Sequence, residues 1–324
     1  MIFMKKNEDM SYVTVEPSFL GLKTFDSLAM EPVLPYIDWT YFFHAWRMSG
    51  SYAGLETLCG CEACKQKWLL NIPKEGRDKA EEAMNLFFDA RDMLGVVLRE
   101  KWFKLNVALY FSKARSTGDE IEFLEDGAVT LSLPLLRQQH VGERSGYCLS
   151  LADFISPKHD YIGAFAVTVQ GADVKSACYR ESGDDYSALL IESVAARLAE
   201  ASSEWLHLQV RRNLWGYAPH ESLSRDEVKA SKYQGIRPAV GYPSLPDQSV
   251  IFDLDNLLHL ERIGVRLTEN GAMQPSSTIC GLYISHPKSS YFMVGKIGKD
   301  QLEEYAEKRG KTAEEMRKWL GGVL

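Results

Sequence analysis

Glu120-Ile-Glu-Phe-Leu-Glu-Asp-Gly-Ala-Val-Thr-Leu-Ser-Leu133 is the stretch on which the fold turns. Two short apolar runs flank Glu125-Asp-Gly127, and Asp-Gly between such runs is a tight-turn signal. Residues 120–124 and 128–133 are therefore expected to form a β-hairpin. Upstream, residues 105–111 are apolar and β-prone. Downstream, residues 147–155 and 161–170 are further strand candidates, separated by Ser156-Pro-Lys-His-Asp160. Short links between these runs predict an antiparallel sheet rather than βαβ repeats. Residues 278–286 and 291–297 read as two more strands around Pro287-Lys-Ser-Ser290.

Helices flank this region. Residues 74–100 place Ala80, Ala83, Met84, Phe87, Leu94 and Val97 at helical spacing with charges between them, the pattern of a core-facing helix. A second long helix is expected from Asp184-Asp-Tyr186 to about residue 215, with Leu190, Val194, Leu198 and Leu206 on its buried side. Glu200 sits between two alanines close to that apolar stripe. A carboxylate there needs a partner, which makes it a site candidate. Residues 252–263 read as a helix, and 300–309 and 313–320 as terminal helices broken at Gly310. Asp38, ahead of Trp39-Thr-Tyr-Phe-Phe43, suits a helix N-cap, and the same carboxylate can face a pocket. The fold class is α+β. Residues 1–16 are expected to be a tail, and 17–324 a single domain with a helical N-terminal part.

The 324 residues are 45% hydrophobic and 25% charged, which excludes long disorder. A net charge of −7 argues against nucleic acid as a partner. No apolar run approaches the ~20 residues of a membrane span. The start lacks a signal peptide's apolar region, and six cysteines fit a reducing compartment, so a cytoplasmic protein is expected. There is no G-x-G-x-x-G after a strand and no P-loop, which argues against a Rossmann methyltransferase, a dinucleotide enzyme or an NTPase, and there is no G-x-S-x-G elbow and no H-E-x-x-H. Cys59-Gly-Cys-Glu-Ala-Cys64 sets three thiols in six residues. A structural zinc takes four ligands and no clear fourth is nearby, His44 lying in an aromatic, helical setting. The expectation is reduced thiols in a loop, and no metal site.

Tyr233-Gln-Gly-Ile-Arg-Pro-Ala-Val-Gly-Tyr-Pro-Ser-Leu-Pro-Asp247 has too many prolines and glycines for a helix or an inner strand. It reads as a stiff loop presenting Arg237 and Tyr242. Arginine on a rigid loop suits planar recognition of a carboxylate or phosphate. A structural ion pair at Arg237 is the competing reading.

This loop resembles the C-terminal activation domain of cobalamin-dependent methionine synthase. So do Tyr36-Ile-Asp-Trp-Thr40, Leu151-Ala-Asp-Phe154, Tyr161-Ile-Gly-Ala-Phe-Ala-Val-Thr168, Arg197-Leu-Ala-Glu-Ala201, Trp215-Gly-Tyr-Ala-Pro219 and Leu267-Thr-Glu269, in the expected order from about Phe19 onward. The resemblance implies a twisted antiparallel sheet with long flanking helices, not a Rossmann fold. It implies binding of S-adenosylmethionine and donation of its methyl group for reductive methylation of cob(II)alamin, in methionine biosynthesis. The cobalamin would be held by a partner domain or polypeptide, with a flavodoxin-type electron donor. The family's ligand contacts fall on Asp38, Arg237, Tyr291 and Phe292, with Glu200, Gly241 and Tyr242 lining the same site. Ser231, Ala196 and Gln248 depart from the pattern, where Glu, Asp and His are frequent, and the Cys59–Cys64 segment looks inserted. No D-x-H-x-x-G cobalamin motif is present, so this chain is expected to act on a cobalamin protein as an excised domain or a separate subunit. The alternatives are a non-catalytic docking subunit, or an activator in trans of another corrinoid methyltransferase.

Overall fold

In this computed structural model, which describes residues 12–48, 50, 52–141 and 146–324, the chain enters the sheet through β1 (Gly21–Leu28). Short helices α1 (Trp39–Ala45) and α2 (Glu62–Leu70) lead to the long α3 (Arg77–Arg99). Strands β2 (Lys104–Thr117), β3 (Glu120–Glu125), β4 (Ala128–Pro134) and β5 (Asp160–Gln170) follow, then α4 (Ala172–Glu181) and the longest helix, α5 (Asp185–Gln209). Next come α6 (Arg225–Lys229), α7 (Val250–Leu258) and a small ladder of β6 (Arg266–Leu267) with β7 (Met273–Gln274). Strand β8 (Thr278–Tyr283) returns to the main sheet, and α8 (Lys299–Lys308) and α9 (Ala313–Trp319) close the chain.

The main sheet is antiparallel in the order β4-β3-β2-β5-β8, with β1 on the first half of β2. The expected hairpin forms: Glu125 pairs with Ala128 across Asp126 and Gly127, both at positive φ (49° and 83°), as a two-residue hairpin turn demands. β5 is buried along nearly its whole length. Phe165, Val167 and Val169 join the core cluster of α3 and α5, while Ile162, Ala164 and Ala166 join the cluster under α7. Layers on both faces explain why this strand reads as a continuous apolar run.

Two expected strands are not strands. Residues 147–155 make one isolated bridge, Arg137 to Ser150, and then a 3-10 turn at Leu151–Phe154. The Asp153 carboxylate accepts from the Ser150 amide at 2.9 Å and also takes the Arg137 guanidinium at 2.7 Å, so local polar bonding outweighs β-propensity. Residues 291–297 lie outside the sheet, because the free edge of β8 is already taken. The expected helix at 252–263 starts at Val250 and breaks at His259 (φ 47°), and the 184–215 helix ends in a single π turn at Val210–Leu214. Within the segment expected as a tail, Tyr12 bonds Asp160 and the Trp215 indole donates to the Val15 carbonyl at 2.8 Å; residues 1–11 lie outside the described residues.

The segment on the edge of β8 is the proline- and glycine-rich loop. Ile236 and Ile284 exchange both main-chain hydrogen bonds (2.9 and 3.0 Å), Leu282 N donates to Pro238 O and Val240 N to Cys280 O (2.9 Å each). Pro238 fits here because its position uses only its carbonyl. Further on, buried Asp247 accepts from the Tyr305 hydroxyl of α8 at 2.8 Å, which anchors the loop's far end. The loop lies so close to β8 that a Cβ on Gly281 would meet Pro238 O at 2.3 Å and Ala239 Cα at 2.8 Å. Gly281→Ala is expected to destabilise the fold by about 1–3 kcal/mol, the scale of overpacking a tight contact. Urea unfolding with an unchanged midpoint would show that the loop tolerates displacement.

Candidate functional site

Against the α5 face of the sheet, the loop and α5 form the walls of a cleft of about 750 Å³. Ile236 and Val240 are rooted in the cluster under α7, whereas Arg237 turns the other way, toward α5. Alternation along an extended segment sets this direction. Its Nη2 meets Glu204 Oε2 at 2.6 Å, with 17% of each side chain exposed. Burial opposes the guanidinium's charge, but Glu204 and the nearby tyrosines outweigh it and hold Arg237 above its already high range. Buried Arg237 Nε and Glu204 Oε1 have no hydrogen-bond partner among the described residues.

The remaining expected site residues fall around this pair. The Tyr291 hydroxyl accepts from the Arg237 amide at 3.0 Å and lies 3.4 Å from the Tyr233 hydroxyl. Phe292 lines the cleft beside it. Tyr242 donates its hydroxyl to Glu200 Oε1 at 2.8 Å, and burial followed by the Glu200 charge pushes the Tyr242 phenol up to about 12. Asp38 caps α1, accepting from Thr40 N at 2.8 Å, and also lines the cleft. Six of the seven expected residues therefore share one cavity. Gly241 stands behind it: at φ 83° it turns the loop, and its amide donates to Leu245 O at 2.9 Å.

Sequence reasoning missed Glu204, one turn beyond Glu200 on the same face of α5. The available signal was that spacing, four residues from a carboxylate already singled out. It also missed Arg197 and Tyr41, which line the opening. Ser231, the departure just before the loop, lines the cavity at φ 53°. Chemically, the cleft combines the Arg237 guanidinium, held by Glu204, with Arg197, Arg225 and Lys229, three carboxylates (Asp38, Glu200, Glu204) and several aromatic faces. That set suits a small molecule with a carboxylate at one end and positive charge at the other.

Beneath the cleft, His207 is fully buried on α5, stacked on Tyr283 (centroids 5.3 Å) and bonded through Nε2 to the Tyr217 hydroxyl at 3.2 Å. Burial first, then the charges of Arg211 and Arg237, hold its pKa well below the usual histidine value.

A family model described as "Vitamin B12 dependent methionine synthase, activation domain" matches residues 29–310. Among solved structures, a crystal structure of the MetH reactivation domain bound to AdoHcy superposes with a TM-score of 0.85 at 36% sequence identity, covering 99% of this chain and 95% of that one. The fold expectation therefore holds: a mixed helix and antiparallel-sheet arrangement, not a Rossmann fold. No helix among the described residues is long and apolar enough to cross a membrane.

Because His207 is neutral when folded and can protonate when unfolded, acid favours the unfolded state below about pH 6.5. Its contribution to stability is present above that pH and lost as pH falls, at about 1.4 kcal/mol per unit. His207→Gln is expected to flatten the slope of unfolding free energy below about pH 6.5, by up to about 1.4 kcal/mol per unit. Identical slopes for wild type and variant would remove His207 as the acid-sensitive group.

Proposed function

The chain belongs to the family of vitamin B12-dependent methionine synthase activation domains, and on that premise we propose that residues 17–324 act as one module binding S-adenosylmethionine in the cleft between α5 and the 233–247 loop. The observation that carries this reading is the half-used fork of Arg237. Glu204 occupies Nη2, while buried Nε has no partner among the described residues. A ligand carboxylate entering the cleft completes the guanidinium's hydrogen bonding with charge-assisted bonds. Asp38 and Glu200 then balance the ligand's ammonium and sulfonium charges, and Tyr242 and Tyr291 offer aromatic faces to the cation. Gly241 contributes by shaping the loop.

S-adenosylmethionine in this position supplies a methyl group for the reductive methylation of cob(II)alamin carried by a partner domain or polypeptide, with the electron from a flavodoxin-type donor. This chain's residues bind and orient the donor molecule, and the cobalamin comes from the partner. The setting that fits these partners is the cytoplasm. A docking subunit that binds the partner without donating a methyl group is a second reading. It draws on Ser231, which lines the cleft where the resemblance expects a carboxylate.

Calorimetric titration with S-adenosylmethionine tests the site. Arg237→Ala is expected to weaken binding by ~1.5–3 kcal/mol, about 10- to 150-fold, with the fold intact by circular dichroism. Unchanged affinity would take Arg237 out of the site. Mixing the protein with S-adenosylmethionine, a reduced flavodoxin-type donor and a cob(II)alamin-bearing partner should yield methylcobalamin. Binding without any such product favours the docking reading.

A further inference from the structure

Cys59, Cys61 and Cys64 lie apart from the residues of the cleft, and the structure gathers them. Their sulfurs all lie within 4.8 Å of one another, with Cys59 and Cys61 Sγ at 3.2 Å. The turn that brings them together is clamped to α3. Gly60 stands at φ 86°, where a Cβ would meet Arg91 Nη2 at 2.8 Å and the Phe88 ring at 3.2 Å. Arg91 Nη1 donates to the Leu58 carbonyl at 3.1 Å, and its guanidinium lies over the Phe88 ring at 4.4 Å. The positive φ favours glycine on this path, and the arginine holds the turn in place. Cys61 is also the N-cap of α2, with no side-chain cap bond, and Cys64 lies in that helix's first turn. Unsatisfied amides there favour negative sulfur.

We propose that Cys59, Cys61 and Cys64 form a three-thiolate site for a zinc ion, with water in the fourth position. Tetrahedral zinc with Zn–S bonds of ~2.3 Å sets its sulfurs about 3.8 Å apart, a spacing these thiols reach with small side-chain rotations. Among the described residues no fourth His, Cys, Asp or Glu joins the cluster. The sequence alone gave no metal for that reason, yet three protein ligands and a water is an established zinc arrangement. A redox pair would need only Cys61 and Cys64. The third thiol, positioned by Gly60 and Arg91, is the feature that selects metal over disulfide. Binding releases the thiol protons and leaves a zinc–trithiolate unit of net charge −1. Arg91, whose guanidinium lies over the Phe88 ring, supplies positive charge beside it, while Lys65 is paired with Glu62 at 3.2 Å.

The test uses the reduced full chain under anaerobic conditions. Zn²⁺ titrated against a chromophoric chelator should bind at one equivalent, and Co²⁺ in its place should give thiolate-to-cobalt charge transfer with tetrahedral ligand-field bands. Cys59→Ser should weaken Zn²⁺ binding at least ~10-fold, and Arg91→Met by ~10-fold, the scale of losing a group that orients ligands. Without any substitution, Zn²⁺ should protect Cys59, Cys61 and Cys64 from alkylation, read by mass spectrometry, while exposed Cys178 stays reactive. No stoichiometric uptake, a Cys59→Ser variant that matches wild type, or alkylation of Cys59 at saturating Zn²⁺ overturns the assignment.

Discussion

The pairing of residues 236–240 with β8 is the constraint on which the rest of the site depends. Four main-chain hydrogen bonds, each worth a net ~0.5–1.5 kcal/mol, turn an irregular loop into the last strand-like layer of the sheet. The same bonds cover an edge that would otherwise expose unpaired backbone groups. They fix the alternation that sends Ile236 and Val240 into one core and Arg237 toward α5. They also place the Arg237 amide where the Tyr291 hydroxyl can accept from it, so the 291–297 segment is organised by the loop rather than by the sheet. Gly281 is the condition for this approach, since any side chain there would occupy the space of the loop backbone.

The parts of the fold legible in the sequence are those decided by local periodicity or a single turn. Asp126-Gly127 sets its hairpin because both residues accept positive φ. The apolar stripes of α3 and α5 repeat at helical spacing because one face of α5 meets the sheet and one face of α3 packs against α5. The candidate site residues were named for a different reason. Asp38, Glu200, Arg237, Tyr242, Tyr291 and Phe292 are spread over more than 250 positions, and no periodicity links them. The ordered resemblance named them, and the geometry brings them into one cavity.

What the sequence hid follows from tertiary context. β1 is an edge strand with no fully buried residue, carrying Lys23, Thr24 and Asp26, so it lacks the alternating pattern of a half-buried strand. α4 buries only Ala172 and Ser176, too little for an apolar stripe. Residues 147–155 look β-prone, yet the charge of Arg137 draws Asp153 into a capped turn. Glu204 looked like an ordinary helical carboxylate, because its partner lies 33 residues away on a loop whose path the helix cannot reveal.

The Arg237–Glu204 pair joins the two walls of the cleft. α5 belongs to the core with α3, and the loop is rooted in the core under α7, so the pair spans elements held by separate packing. An ion pair in such a partly buried place adds little net stability, because removing both charges from water offsets much of their attraction. Its consequence is positional. Breaking the pair would leave a poorly solvated charge, so the guanidinium stays charged and aimed into the cleft before any ligand arrives. Its desolvation is met during folding, so under the proposed function a carboxylate meets donors already oriented, which lowers the ordering cost of binding. The structure shows the structural ion pair that the sequence left open at Arg237. Under the proposed function the same side chain also serves as the ligand clamp, since Glu204 engages Nη2 and Nε has no partner among the described residues.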